Sequence, residues 1–248
     1  MPQIELSTAR GSLPALLARP SGDGPWPGVV LLHDAFGMTT QLRRHAEWLA
    51  AAGYRVLAPD LMSWAGRTRC LWSLFGSMRS RRGRVFEEIE AARSWLAGHP
   101  DGTGQVGVIG FCMGGGFALL VVPGGAFDVA SVNYGVGVGT PDPYGTDFLA
   151  GACPVVGSYG GADRSLRGAA GRLAGSLGEL GVAHDVKEYP DAGHSFMDAH
   201  VPSEVPGLVR LATRAMGPGY VPDAADDARA RIVGFFAEHL RGPERSWP

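Results

Sequence analysis

An α/β fold with a mainly parallel central sheet is what this chain of 248 residues predicts. Three observations carry the prediction. Short continuous apolar runs recur along the chain, as expected of strands buried on both faces. Segments with apolar residues at helical spacing alternate with them, which implies right-handed parallel crossovers. A glycine-rich turn also joins one apolar run directly to an apolar helix. The length suits one large domain spanning 1–248, enough to bury a substantial core.

Residues 29–32 (Val-Val-Leu-Leu) follow Pro27-Gly28 and end at His33-Asp34, and read as a buried strand. Over 41–52 the spacing of Leu42, Ala46, Leu49 and Ala50 predicts a helix, which Gly53 stops. Residues 54–58 form the next strand, closed by Pro59-Asp60. Ile89, Ala92, Trp95 and Leu96 mark an amphipathic helix over 85–97. A strand over 106–109 then leads into an apolar helix over 117–121. Strands are predicted over 130–134, 154–159 and 183–189, with a helix over 166–180 between the last two. A final helix over 223–240 starts after Pro222 with Asp223, Asp226 and Asp227, acids that favour a helix N-terminus.

Composition narrows the function classes. The net charge of -2 and a pI near 6.4 give no pull toward nucleic acid or anionic lipid, so a small molecule is the expected partner. No apolar run is long enough to span a membrane, and Met1-Pro2-Gln3-Ile4-Glu5 does not open a secretory signal. Cys70, Cys112 and Cys153 are too few and too irregular for a disulfide framework or zinc knuckle, and an odd count suits a reducing cytoplasm.

Gly110-Phe111-Cys112-Met113-Gly114, backed by Gly115 and Gly116, has the spacing of a nucleophile elbow with cysteine as the nucleophile. A turn this tight needs glycines on both sides. Placed at a helix N-terminus, Cys112 is favoured as the thiolate. A cysteine nucleophile needs a base and a group that orients the base. Asp163, past the strand at 154–159, and His194, past the strand at 183–189, follow in the order nucleophile, acid, histidine. Both fall at the carboxyl edge of the sheet, where open α/β sheets build their sites. Taken singly, Asp163 reads equally as a turn acid and His194 as a polar loop residue.

The ordered set His33-Asp34-Ala35-Phe36-Gly37, Pro59-Asp60-Leu61, Gly110-Phe111-Cys112-Met113-Gly114-Gly115, Asn133-Tyr134-Gly135-Val136-Gly137 and Gly193-His194-Ser195-Phe196 resembles the dienelactone hydrolase family. The resemblance implies the α/β-hydrolase fold, with helices on both faces of the sheet, and a triad of Cys112, Asp163 and His194. It also implies an oxyanion hole of the Ala35 and Met113 backbone N–H groups, and hydrolysis of small esters or lactones through an acyl-thioester without cofactor or metal. A silent small-ligand binder and an acyltransferase on the same triad are the alternatives.

Two positions depart from the family. Asp34 stands where the dienelactone enzymes carry a glutamate against the resting cysteine. Asp198 stands four residues after the histidine, where they carry an arginine that pairs with the substrate carboxylate. An acid there repels a carboxylate and favours a neutral ester or lactone. The segment at about 63–84, rich in arginine and aromatics, reads as a cap lining the pocket. Trp64, Trp72, Arg79 and Arg81 from this segment, with Asp34, Phe36, Tyr134, Phe196 and Asp198, are the substrate-binding candidates. His194, His200 and Asp198 show no recognised metal spacing. The chain is expected to act as a monomer or homodimer.

Overall fold

The computed structural model describes residues 1–136, 142–201, 203–205 and 217–240; Gly137 of the family-like motif lies outside them. Its strands are β1 (Gln3–Thr8), β2 (Gly11–Ala18), β3 (Trp26–Leu32), β4 (Arg55–Pro59), β5 (Gly102–Phe111), β6 (Val129–Asn133), β7 (Val155–Gly160) and β8 (His184–Tyr189). They form one sheet in the order β1-β2-β4-β3-β5-β6-β7-β8. From β4 to β8 every pairing is parallel, while β1 with β2 and β2 with β4 are antiparallel. Val29 to Leu32 have no exposed surface, which explains why β3 reads as an unbroken apolar run.

The helices are α1 (Thr40–Ala51), α2 (Arg67–Ser80), α3 (Arg84–Ala97), α4 (Met113–Val121), α5 (Thr146–Leu149), α6 (Ala169–Glu179) and α7 (Pro222–His239). They cover both faces, as register shows. Gly28 on β3 pairs with Val106 on β5, so neighbouring Gly107 points to the opposite side. A Cβ on Gly28 would press on Leu96 of α3, and one on Gly107 would approach Phe236 of α7. Thus α3 and α7 lie on opposite faces. Glycine at these two strand positions lets the helices pack close to the sheet.

Strand order reverses between β3 and β5, which leave in opposite lateral directions through β4 and β6. At such a switch point the loops beyond the carboxyl ends part and leave a crevice. Asp34-Ala35 after β3 and Cys112 after β5 flank it.

Two elements differ from the sequence expectation. The β1–β2 hairpin was not predicted, because the apolar face of β1 is only two residues long, Ile4 half-buried and Leu6 buried. Residues 67–80, within the segment read as a cap, form a regular helix that was not predicted. Its buried row is Cys70, Leu74, Ser77 and Met78, in which a thiol and a hydroxyl occupy half the apolar stripe. Helix α4 starts at Met113, directly after Cys112 as the elbow spacing implies, and takes in three glycines of low helix propensity, which tertiary packing overrides.

Candidate active site

The elbow is forced by close backbone approach. A Cβ on Gly110 would sit 2.0 Å from the Gly114 carbonyl oxygen, and one on Gly114 would sit 2.3 Å from that of Leu32. Between them Cys112 adopts φ 53° and ψ -115°, a conformation that side chains rarely take. Its N–H donates to the Asn133 carbonyl at 3.1 Å, tying the turn to the end of β6. The thiol is thereby held half-buried, at the N-terminus of α4.

Cys112 Sγ lies 3.0 Å from His194 Nε2, and His194 Nδ1 donates to Asp163 Oδ2 at 2.6 Å. Asp163 follows β7 and caps a short 3-10 turn. Its other oxygen accepts from the Ser165 N–H at 2.9 Å and from the Ser165 hydroxyl at 2.6 Å. Ser165 had no motif to mark it. The structure therefore brings the three predicted residues into one hydrogen-bonded row. Burial works against charge on His194, yet its bonds to Asp163 and Cys112 win and push it up to about 10. Burial likewise opposes charge on Asp163, but its bonds to His194 and Ser165 hold it below the usual carboxylate range.

Ala35 and Met113 lie at the two lips of the crevice. Among the described residues, neither backbone N–H donates to a protein acceptor. An unbonded amide at a helix start is a ready anion donor.

Beside this row lies a second polar cluster that sequence spacing did not reveal. Asp198 is buried, and accepts from the Tyr134 hydroxyl at 2.6 Å and from His45 Nε2 at 2.7 Å. Tyr134 packs edge-on against His194 with ring centroids 5.4 Å apart, and His45 stacks on Phe111 at 3.9 Å. Asp34 Oδ1 accepts from the Phe36 N–H at 2.7 Å, while Oδ2 stands 3.6 Å from His200 Nε2. His200 Nε2 is 3.9 Å from Asp198 Oδ2, and among the described residues neither ring nitrogen of His200 has a hydrogen-bond partner. Burial, then repulsion by Asp198, push Asp34 up to about 7. Asp198 resists its own burial through His45 and stays below the ordinary range. Asp34, Tyr134 and Asp198 were among the sequence candidates, but His45, on the buried face of α1, carried no signal.

Several substrate-binding candidates fall elsewhere. Trp72 is 75 % exposed on the outer side of α2, because the buried stripe of that helix runs through Cys70 and Leu74 instead. Arg79 is likewise exposed. Phe196 has no exposed surface and packs between Tyr134 and Tyr189, so it is core. Arg81 lies over the Phe148 ring at 4.0 Å, and Trp64 is stacked by Arg69 and Arg84. Phe36 stays beside the crevice, edge-on to His200 at 5.1 Å. Asp34 makes no hydrogen bond to Cys112 among the described residues; it caps the following turn. The ligand atoms of Asp34, Asp198 and His200 all lie within 4.8 Å of one another, a grouping able to hold a metal ion that spacing alone did not suggest.

Parallel strands, the elbow after β5 and the acid and histidine after β7 and β8 define an α/β-hydrolase. The dienelactone hydrolase family model matches residues 13–240, and the chain belongs to that family of hydrolases. It is 26% identical over 232 residues to the carboxymethylenebutenolidase of Pseudomonas putida, covering 90% of each chain. Among solved structures it resembles a dienelactone hydrolase-like promiscuous phosphotriesterase from metagenomic libraries, with TM-score 0.75, 20% identity and coverage of 97% of this chain and 98% of that one. A thermophilic esterase from Thermogutta terrifontis matches with TM-score 0.67, 14% identity and coverage of 98% and 96%. Among the described residues no helix is long and apolar enough to cross a membrane.

Proposed function

We propose that the chain hydrolyses small carboxylic esters or lactones through a Cys112–His194–Asp163 triad and an acyl-thioester on Cys112. The observation that carries this reading is the continuous row from Sγ through the imidazole to the carboxylate, at 3.0 and 2.6 Å. With His194 protonated by its two partners, Cys112 faces an imidazolium that favours the thiolate. The thiolate attacks the carbonyl carbon, and the oxyanion is received by the N–H groups of Ala35 and Met113. His194 passes its Nε2 proton to the departing alkoxide, leaving the thioester. Neutral His194 then takes a proton from water, whose oxygen attacks the thioester and expels the thiolate with release of the acid. Asp163 orients the ring and stabilises its charged form throughout.

No step calls for a cofactor. Activated esters and lactones suit the thiolate because their alkoxides depart readily. Asp198 supports a neutral substrate, because a buried carboxylate in place of a pairing cation repels a second carboxylate. Three free thiols support a reducing, cytoplasmic setting. The curated relative acts on carboxymethylenebutenolide by its name; the present chain is assigned the same bond chemistry on a differently charged molecule.

A 4-nitrophenyl ester tests the proposal. A burst of nitrophenolate equal to the enzyme concentration and a matching mass adduct on Cys112 are expected, with turnover of Cys112→Ala reduced at least about 10³-fold. A folded wild type with neither burst nor adduct would support the silent binder instead. Transfer of the acyl group to added amine in preference to water would support the transferase.

A further inference from the structure

We propose, building on the hydrolase reading, that Asp34 and His200 form a subsite for a hydroxyl group of the substrate, so that the preferred substrates are uncharged, hydroxyl-bearing esters or lactones. The position that would hold a substrate carboxylate is closed. Both oxygens of Asp198 are engaged, one by His45 at 2.7 Å and one by Tyr134 at 2.6 Å, and the group is buried. Asp198 therefore ties α1 and the end of β6 to the histidine loop rather than presenting itself to a ligand.

The pair next to it lacks a mutual hydrogen bond. Asp34 Oδ2 and His200 Nε2 face one another at 3.6 Å, too far apart to hydrogen-bond. The His200 nitrogens are buried and have no hydrogen-bond partner among the described residues, although buried polar atoms are ordinarily satisfied. Asp34 lies directly before Ala35 on the lip of the crevice. Tyr134 lies within electrostatic range of both Asp34 and Cys112. Phe36 walls the pair with its ring edge-on to His200.

A hydroxyl matches this pair because it has one proton and two lone pairs. It donates to Asp34 Oδ2 and accepts from an N–H of His200, satisfying both at once. A methyl group in its place satisfies neither, and a carboxylate meets two acids. A cation is the competing occupant, since the ligand atoms of Asp34, Asp198 and His200 are clustered. Each Asp198 oxygen already accepts one hydrogen bond, so a cation there would share that carboxylate with His45 and Tyr134.

The test compares kcat/KM for 4-nitrophenyl 2-hydroxybutanoate and 3-hydroxybutanoate with 4-nitrophenyl butanoate and mono-4-nitrophenyl succinate. The wild type is expected to favour at least one hydroxy ester over butanoate by about tenfold or more, and to turn over the succinate least. In His200→Phe and in Asp34→Asn, each first shown folded by circular dichroism, the hydroxy-to-butanoate ratio is expected to fall toward one. A wild-type ratio near one for both hydroxy esters overturns the subsite, as does a ratio that both variants leave intact. Loss of the preference on treatment with EDTA, restored by zinc or magnesium, overturns it in favour of a cation. The parent reading is judged separately by the acyl burst. A burst on every ester with no hydroxyl preference sinks only the subsite, whereas no burst on any ester sinks the triad.

Discussion

At the residue scale, the site combines two carboxylates whose charge burial opposes alike and whose partners decide opposite outcomes. Asp163 keeps its charge because three donors converge on it, whereas Asp34 has the Phe36 and Gly37 amides nearby but also Asp198 across the crevice. Its carboxyl is raised from 3.8 to about 7 by burial and by that neighbour. A group that holds its proton more tightly when folded favours the fold fully below pH 3.8, and this contribution is lost as pH rises through 7. Asp34→Asn accepts the Phe36 N–H without carrying charge. Denaturant midpoints across pH 4–8 are therefore expected to fall less steeply for Asp34→Asn than for the wild type, with a gain on the order of a few kcal/mol at pH 8. Equal slopes for the two proteins would show that Asp34 ionises freely in the fold.

At the element scale, the elbow is where local preference and tertiary demand conflict. Helix α4 opens with three consecutive glycines, each costing about 1 kcal/mol of helix propensity relative to alanine. By propensity alone, replacing them should stabilise. Gly114, however, lies against the Leu32 and His33 carbonyl oxygens, at 2.3 and 2.7 Å from where a Cβ would be. Gly114→Ala is accordingly expected to destabilise by several kcal/mol and to abolish the nitrophenolate burst, read by urea unfolding and stopped-flow absorbance. Gly171, with open space around its Cβ position on α6, is the control. There alanine is expected to be neutral or stabilising by up to about 1 kcal/mol.

At the scale of the whole molecule, the two helical layers lock onto the sheet at points where strand glycines admit them. Phe236 of α7 is fully buried, reaches toward Gly107 on β5 and meets Tyr54 edge-on at 5.9 Å. Truncation leaves a cavity remote from the crevice. Phe236→Ala is expected to lower unfolding free energy by about 3–5 kcal/mol while the burst amplitude per folded molecule is kept. Loss of the burst at full folding would mean that α7 bears on the elbow more directly than packing implies.

The strands from β3 to β7 could be read from the chain because their buried runs carry their environment in their own composition, whereas the edge strand β8, with only Tyr189 buried, was read from its place after the helix at 166–180. The elbow and the order of Cys112, Asp163 and His194 were equally readable, since tight turns admit few residue types and α/β sheets place loops at one edge. The hairpin β1–β2 and helix α2 escaped, as their buried rows are short or include Cys70 and Ser77, which do not look apolar. Folding alone settled the partners of Asp34 and Asp198. His45 and Tyr134 reach Asp198 from 153 and 64 residues away, and His200 faces Asp34 from across the crevice. Local chemistry is written in neighbouring residues, whereas the charge and hydrogen-bonding state of a buried group depends on which distant side chains the sheet brings against it.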